Sequence, residues 1–194
     1  KTWLSKHVAS IYFPLCLKLL HEASSALAWL AKNDMVHGDV KMGNILVRQG
    51  CAKLGDFGMS HKPATSQCCK PGTPLYRAPE VDRPHEGCPH SDKSDAWSFA
   101  LVAYGMIKGN EVSKADFVEN VENGERIFRP LAYSAVLSNK LSELPLLPEE
   151  RKDTVVNILI TCLNQSFAAN RNERPSLCSI SAAMSDARSM LKPP

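Results

Sequence analysis

Apolar residues between positions 13 and 32 recur on one helical face. Cys16, Leu20, Ala23, Leu27 and Leu30 are separated alternately by four and three residues, which predicts an amphipathic helix over 13–32. Pro14 suits its first turn and Asn33-Asp34 offers a stop. From Met35 to Val47 short apolar pieces alternate with polar ones, predicting strand, loop, strand. Gln49-Gly50 is a turn signal, and Cys51 to Leu54 reads as the returning strand of a hairpin. Residues 58–90 are rich in Gly, Pro, Ser, Thr, Cys and His, the composition of a long loop, and a loop of that length in a compact domain is usually functional.

Ser91-Asp92 can cap a helix running to about Lys108. Trp97, Phe99, Leu101, Val102, Met106 and Ile107 leave it no polar face, so it should be buried all round. Gly109-Asn110 ends it. Residues 113–122 read as a weaker amphipathic helix, and 124–148, with Pro130, Pro145 and Pro148, as irregular. Pro148 opens a helix that carries Val155, Val156, Leu159, Ile160 and Leu163. Pro175 opens the last, striped by Leu177, Ile180, Met184 and Leu191. The fold class is mainly α with a small β-hairpin, in one domain over 1–194.

The 194 residues are 44% hydrophobic, enough for one domain with a core. A formal charge of +3 with no long Lys/Arg run gives no support to nucleic-acid binding. The apolar stretch Ala96 to Ile107 is too short to span a bilayer, and no signal peptide opens the chain. Seven cysteines without a C-x-x-C pair argue against a disulfide framework and for a reducing, intracellular and cytoplasmic setting. His61, Cys68, Cys69, His85, Cys88 and His90 lie close in sequence, but their spacings match no standard zinc pattern.

Three motifs occur in order: His37-Gly38-Asp39-Val40-Lys41-Met42-Gly43-Asn44, then Asp56-Phe57-Gly58, then Ala78-Pro79-Glu80. Together they resemble the catalytic loop, D-F-G and A-P-E of eukaryotic-type protein kinases. Gly72-Thr73-Pro74-Leu75-Tyr76-Arg77, Asp95-Ala96-Trp97-Ser98-Phe99-Ala100 and Arg174-Pro175 extend the likeness over nearly the whole chain. It implies the C-terminal lobe of such a domain, with its catalytic loop at 37–44 and its activation segment at 56–80. It also implies ATP- and Mg²⁺-dependent phosphoryl transfer to a protein substrate.

The same resemblance implies the roles of single residues. Asp39 would orient the acceptor hydroxyl and take its proton. Lys41 would set a cation beside the γ-phosphate. Asn44 and Asp56 would hold Mg²⁺ through oxygen, and the glycine at 58 would free the backbone to turn sharply after Asp56. Leu46 would floor the adenine, with plain core as the other reading of that residue. His37 would be structural, stacked behind Phe57. Glu80 and Arg174 would form a buried ion pair, and Asp95 would tie the catalytic-loop backbone to the buried helix. Lys41 with Thr73 resembles the serine/threonine pattern, in which the threonine hydroxyl bridges the aspartate and the lysine.

The chain departs from the pattern in two respects. Gly38 replaces the usual arginine, which pairs with an activation-loop phosphate, so activity should not be gated by phosphate through that route; Ser60, Thr65 and Ser66 remain modification candidates. The sequence also holds no G-x-G-x-x-G and no V-A-x-K strand. The β-rich N-terminal lobe is therefore expected to be absent here and supplied in cis. The alternative function is a catalytically inactive kinase-like scaffold or decoy. A small-molecule phosphotransferase ranks last, because that class usually lacks A-P-E and the Gly-Thr segment. The face normally covered by the missing lobe should expose an apolar patch.

Overall fold

A computed structural model describes residues 13–63, 72–82, 90–122, 125–130, 133–142 and 147–191. The first helix, α1 (Phe13–Lys32), buries Cys16, Leu20, Ala23, Leu27 and Leu30, the face its periodicity predicted. Asp34, in the left-handed region at φ 53°, turns the chain out of it.

Strands β1 (Ile45–Arg48) and β2 (Cys51–Leu54) pair antiparallel in the register Ile45↔Leu54 to Arg48↔Cys51. Gln49 and Gly50 make the turn, both at positive φ, as a two-residue hairpin requires. The hairpin is clamped to α1. Lys18 Nζ donates to the Gly50 carbonyl at 2.6 Å, and Glu22 Oε2 accepts from the Ala52 N–H at 2.7 Å.

After the short helix α2 (Pro79–Asp82) comes α3 (Asp92–Lys108), the centre of the molecule. Ser91 and Ser94 cap its start reciprocally, Gly109 closes it at φ 92°, and every residue from Ser94 to Ile107 is buried. Helices α5 (Glu149–Ser166) and α6 (Leu177–Met190) complete the core. Leu177, Ile180, Met184 and Ala187 of α6 are buried, and this helix packs mainly along α1.

Two expectations fail between α3 and α5. Residues 113–122 are not a helix: a single 3₁₀ turn at Lys114–Asp116 leads into strand β3 (Phe117–Glu122), which pairs with β4 (Glu125–Pro130). Asp116 ends the helical geometry because Lys108 and the Ser113 N–H and hydroxyl all bind its carboxylate. The signal overlooked was Val118 and Val121 followed by Asn123-Gly124, a strand and hairpin-turn pattern. Nor is 124–148 irregular throughout, since it holds β4 and helix α4 (Tyr133–Ser142). Leu137 and Leu141 of α4, one turn apart, are buried.

The described residues therefore form a mostly helical fold with six α-helices and small antiparallel hairpins, a kinase C-lobe-like architecture without a β-rich N-lobe. Among them no helix is long and apolar enough to cross a membrane.

Candidate functional site

The segment from His37 to Asn44 crosses from α1 to β1 and is held from below by α3. Asp95, buried in the first turn of α3, accepts the His37 N–H at 2.7 Å on one oxygen and the Gly38 N–H at 3.0 Å on the other. Burial pushes its carboxyl up to about 7, against the pull of those two amides. His37 is fully buried. Its Nε2 lies 3.1 Å from the Gly55 carbonyl, and its Nδ1 accepts from the Asp39 N–H at 3.3 Å. A neutral imidazole with the proton on Nε2 satisfies both contacts, and burial lowers the histidine's proton affinity accordingly. The ring meets Phe57 at 5.2 Å between centroids.

Asp39 is the most densely bonded carboxylate of the site. Its Oδ2 accepts from Lys41 Nζ at 2.6 Å and from Asn44 Nδ2 at 3.2 Å. Its Oδ1 accepts from the Thr73 N–H and the Thr73 hydroxyl, both at 2.8 Å. Lys41 Nζ also donates to Thr73 Oγ1 at 2.9 Å, so the threonine hydroxyl bridges lysine and aspartate. Burial raises the Asp39 carboxyl, but the Lys41 and Thr73 donors outweigh it and hold the group below the usual carboxylate range.

Asp56 has the opposite surroundings. It is exposed, sits at φ 60°, and accepts only a long 3.4 Å bond from the Gly58 N–H. The Gly55 N–H donates to the Asn44 carbonyl at 2.9 Å, one step beyond the Ile45↔Leu54 pair. Asn44 and Asp56 therefore flank the same end of the β1–β2 hairpin. Asn44 spends its amide N–H₂ on Asp39, with a 2.8 Å bond to the backbone carbonyl as well; its amide oxygen is the group left for a cation. Two neighbouring oxygen donors, one of them an accessible carboxylate, fit Mg²⁺, which keeps several waters.

Leu46 is 48% exposed, so its reading as plain core is wrong. Phe57, at 50%, and Trp29, at 64%, are exposed as well. These two, with Leu30 and Leu54, line a groove of about 560 Å³ between α1 and β2.

Glu80 and Arg174 pair through two parallel bonds of 2.7 Å each. Arg174 also donates to the carbonyls of Ala168 and Lys93, and its guanidinium lies 5.1 Å from the centre of the Trp97 ring. That ring meets Phe167 edge-on. The sequence marks Trp97 within the Asp95–Ala100 motif but does not show the part it plays under Arg174. Ser98 was missed in the same way: its hydroxyl donates to the Tyr76 carbonyl at 2.6 Å and fixes the segment after Thr73 onto α3. Thr65, Ser66, Cys68, Cys69, His85 and Cys88 lie outside the described residues, and among the described ones no three His, Cys, Asp or Glu side chains gather as a metal site.

A sequence model of the protein kinase domain matches residues 3–184. The chain is 30% identical over 177 residues to the dual specificity protein kinase shkE of Dictyostelium discoideum, covering 88% of this chain and 22% of that protein. It is 31% identical over 151 residues to the serine/threonine-protein kinase TAO2 of Xenopus laevis, covering 76% and 13%. It is 34% identical over 98 residues to the Aurora/IPL1-related protein kinase 2 of Caenorhabditis elegans, covering 50% and 31%. The chain spans at most about a third of the length of these relatives. It belongs to the protein kinase domain family, broadly of the serine/threonine type.

Proposed function

We propose that these residues form a kinase-like binding module whose acceptor side is built within the chain, while its nucleotide side needs a lobe that this sequence does not contain. On its own the module neither holds Mg-ATP nor transfers phosphate, which leaves binding of a protein partner as its role. Joined to a nucleotide-gripping lobe, it supports transfer of the γ-phosphoryl group of ATP to serine or threonine hydroxyls of a protein. The carrying observation is the contrast at the site: Asp39 takes four donors from its own chain, whereas Asp56, Leu46 and Phe57 face solvent.

The transfer reading rests on the complete set Asp39, Lys41, Asn44 and Asp56. Phosphoryl transfer is mostly positioning and charge neutralisation. Asp39 orients the acceptor hydroxyl and takes its proton. All four of its lone-pair directions are in use, so the hydroxyl enters by displacing the longest bond, the one from Asn44. Asn44 keeps its bond to the Asp39 carbonyl and does not come adrift. Lys41 neutralises charge beside the transferred group, and Thr73 holds lysine and base in register. Asn44 and Asp56 would hold Mg²⁺, which when bound neutralises the phosphate oxygens. Leu46 offers the adenine an apolar surface.

The test measures Mg-ATP binding by calorimetry and transfer of labelled phosphate to a basic protein, with residues 1–194 and with the longest natural form. The module reading expects neither activity from 1–194. Transfer by the longer form, lost by about 10²–10⁴-fold in Asp39→Asn and also lost in Asp56→Ala, would establish the enzyme. A longer form that binds partners and never transfers would leave the scaffold as its function.

A further inference from the structure

Gly38 stands between the two best-anchored residues of the catalytic loop, at φ +78°. A Cβ there would lie 2.9 Å from the Met59 carbonyl oxygen and 3.6 Å from Cε1 of His61. The space beside residue 38 is thus already filled by the start of the 56–80 segment. His61 is held there by an antiparallel bridge to Val36: its N–H donates to the Val36 carbonyl at 3.1 Å, and its carbonyl accepts the Val36 N–H at 2.9 Å. The ring is fixed by Nδ1, which donates to the Met59 carbonyl at 2.9 Å.

The ring of His61 then meets that of His90 edge-to-face, with centroids 5.6 Å apart and planes at 87°. Both residues are buried, at 9% and 6% exposure. His90 immediately precedes Ser91, the cap of α3, and faces the same small cavity as Gly38, Thr73 and Arg77. Two distant stretches are joined here by a ring contact, and a longer side chain at 38 would collide with the backbone beneath it.

We propose that the His61–His90 contact, made possible by glycine at 38, is a phosphate-independent clasp that fastens the start of the activation segment to the start of α3. Its regulatory meaning rests on the proposed kinase-like site; the clasp itself is measured without any activity, so the two can fail separately. Edge-to-face aromatic pairs contribute modestly beyond their buried area, enough to change local opening severalfold.

The test is amide hydrogen exchange on the full chain after phosphatase treatment, read at Val36 and His61. Both amides should be protected in the unphosphorylated protein. His90→Phe keeps a ring against His61 and should stay within about threefold of the parent, whereas His90→Ala should exchange about three- to tenfold faster. Protection that appears only when Ser60, Thr65 or Ser66 carries phosphate would overturn the proposal. So would a His90→Phe variant that opens as readily as His90→Ala, since a ring contact would then not be what fastens the segment. If the alanine variant does not fold, judged by near-UV circular dichroism, the phenylalanine variant and the phosphatase arm still decide.

Discussion

Asp39 and Asp56 carry the same side chain in two neighbouring motifs, yet the chain treats them in opposite ways. Asp39 is nearly buried and bound by Lys41, Asn44 and Thr73. Asp56 is exposed and held by one long backbone bond. The difference shows which half of the site this sequence organises by itself. Around Asp39, the loop that Asp95 of α3 holds and the segment at Thr73 converge, and the donors are in place before any ligand arrives. Asp56 instead faces solvent beside the half-exposed ring of Phe57.

The strongest way to break the contrast is to cut the scaffold under the organised half. Arg174 is buried and bidentate to Glu80, and removing one partner of such a pair strands a charge. Arg174→Leu should cost about 3–5 kcal/mol, read as a large fall in the urea midpoint. A loss below about 1 kcal/mol would mean that the tie between α2 and the last helices does not support the site.

Next in size is pH. Asp95, pushed up to about 7 by burial, binds a proton more readily folded than unfolded. Its contribution to stability is fully present below the ordinary aspartate value of about 4 and is lost as the pH rises through about 7. Asp39 has the opposite sign: its lowered value gives stability that is present above about 4 and lost as the pH falls through its native value. Urea unfolding between pH 4 and 7.5 should slope downward by on the order of 1 kcal/mol per pH unit at most for the Asp95 proton. Asp95→Asn should flatten that slope, and an unchanged slope would assign it to other groups.

Gly38→Ala is smaller. The left-handed backbone and the 2.9 Å approach to Met59 together predict a loss of about 1–3 kcal/mol, measured as a lower melting temperature. No change would show that this backbone can relax. The smallest effect belongs to the open half: Trp29, 64% exposed, should change stability by less than about 0.5 kcal/mol when replaced by serine. The same Trp29→Ser change should reduce self-association in size-exclusion chromatography. A large loss of stability would place Trp29 in the core and erase the contrast.

Where local pattern and local chemistry coincide, the sequence is enough. The bounds of α1 and α3, the Gln49-Gly50 turn and the start of α5 at Pro148 all follow from periodicity and caps. The order of the motifs likewise named Asp39, Lys41, Asn44, Asp56 and Thr73 as one group. The error at 113–122 has the same origin in reverse: its apolar spacing tolerates helix or strand, and a lysine on α3 together with the Ser113 cap takes Asp116 and stops the helix after one turn.

What only the tertiary structure decided is which side chains meet across long separations and which face water. The ring of Trp97 under Arg174, the bond from Ser98 to the Tyr76 carbonyl and the contact of His61 with His90 all depend on how α3 sits against the loops around it, and the exposure of Leu46 on which face of the β1–β2 hairpin stays uncovered. Periodicity tells a residue's face but not its partner, because a partner is chosen by packing among elements that are far apart along the chain.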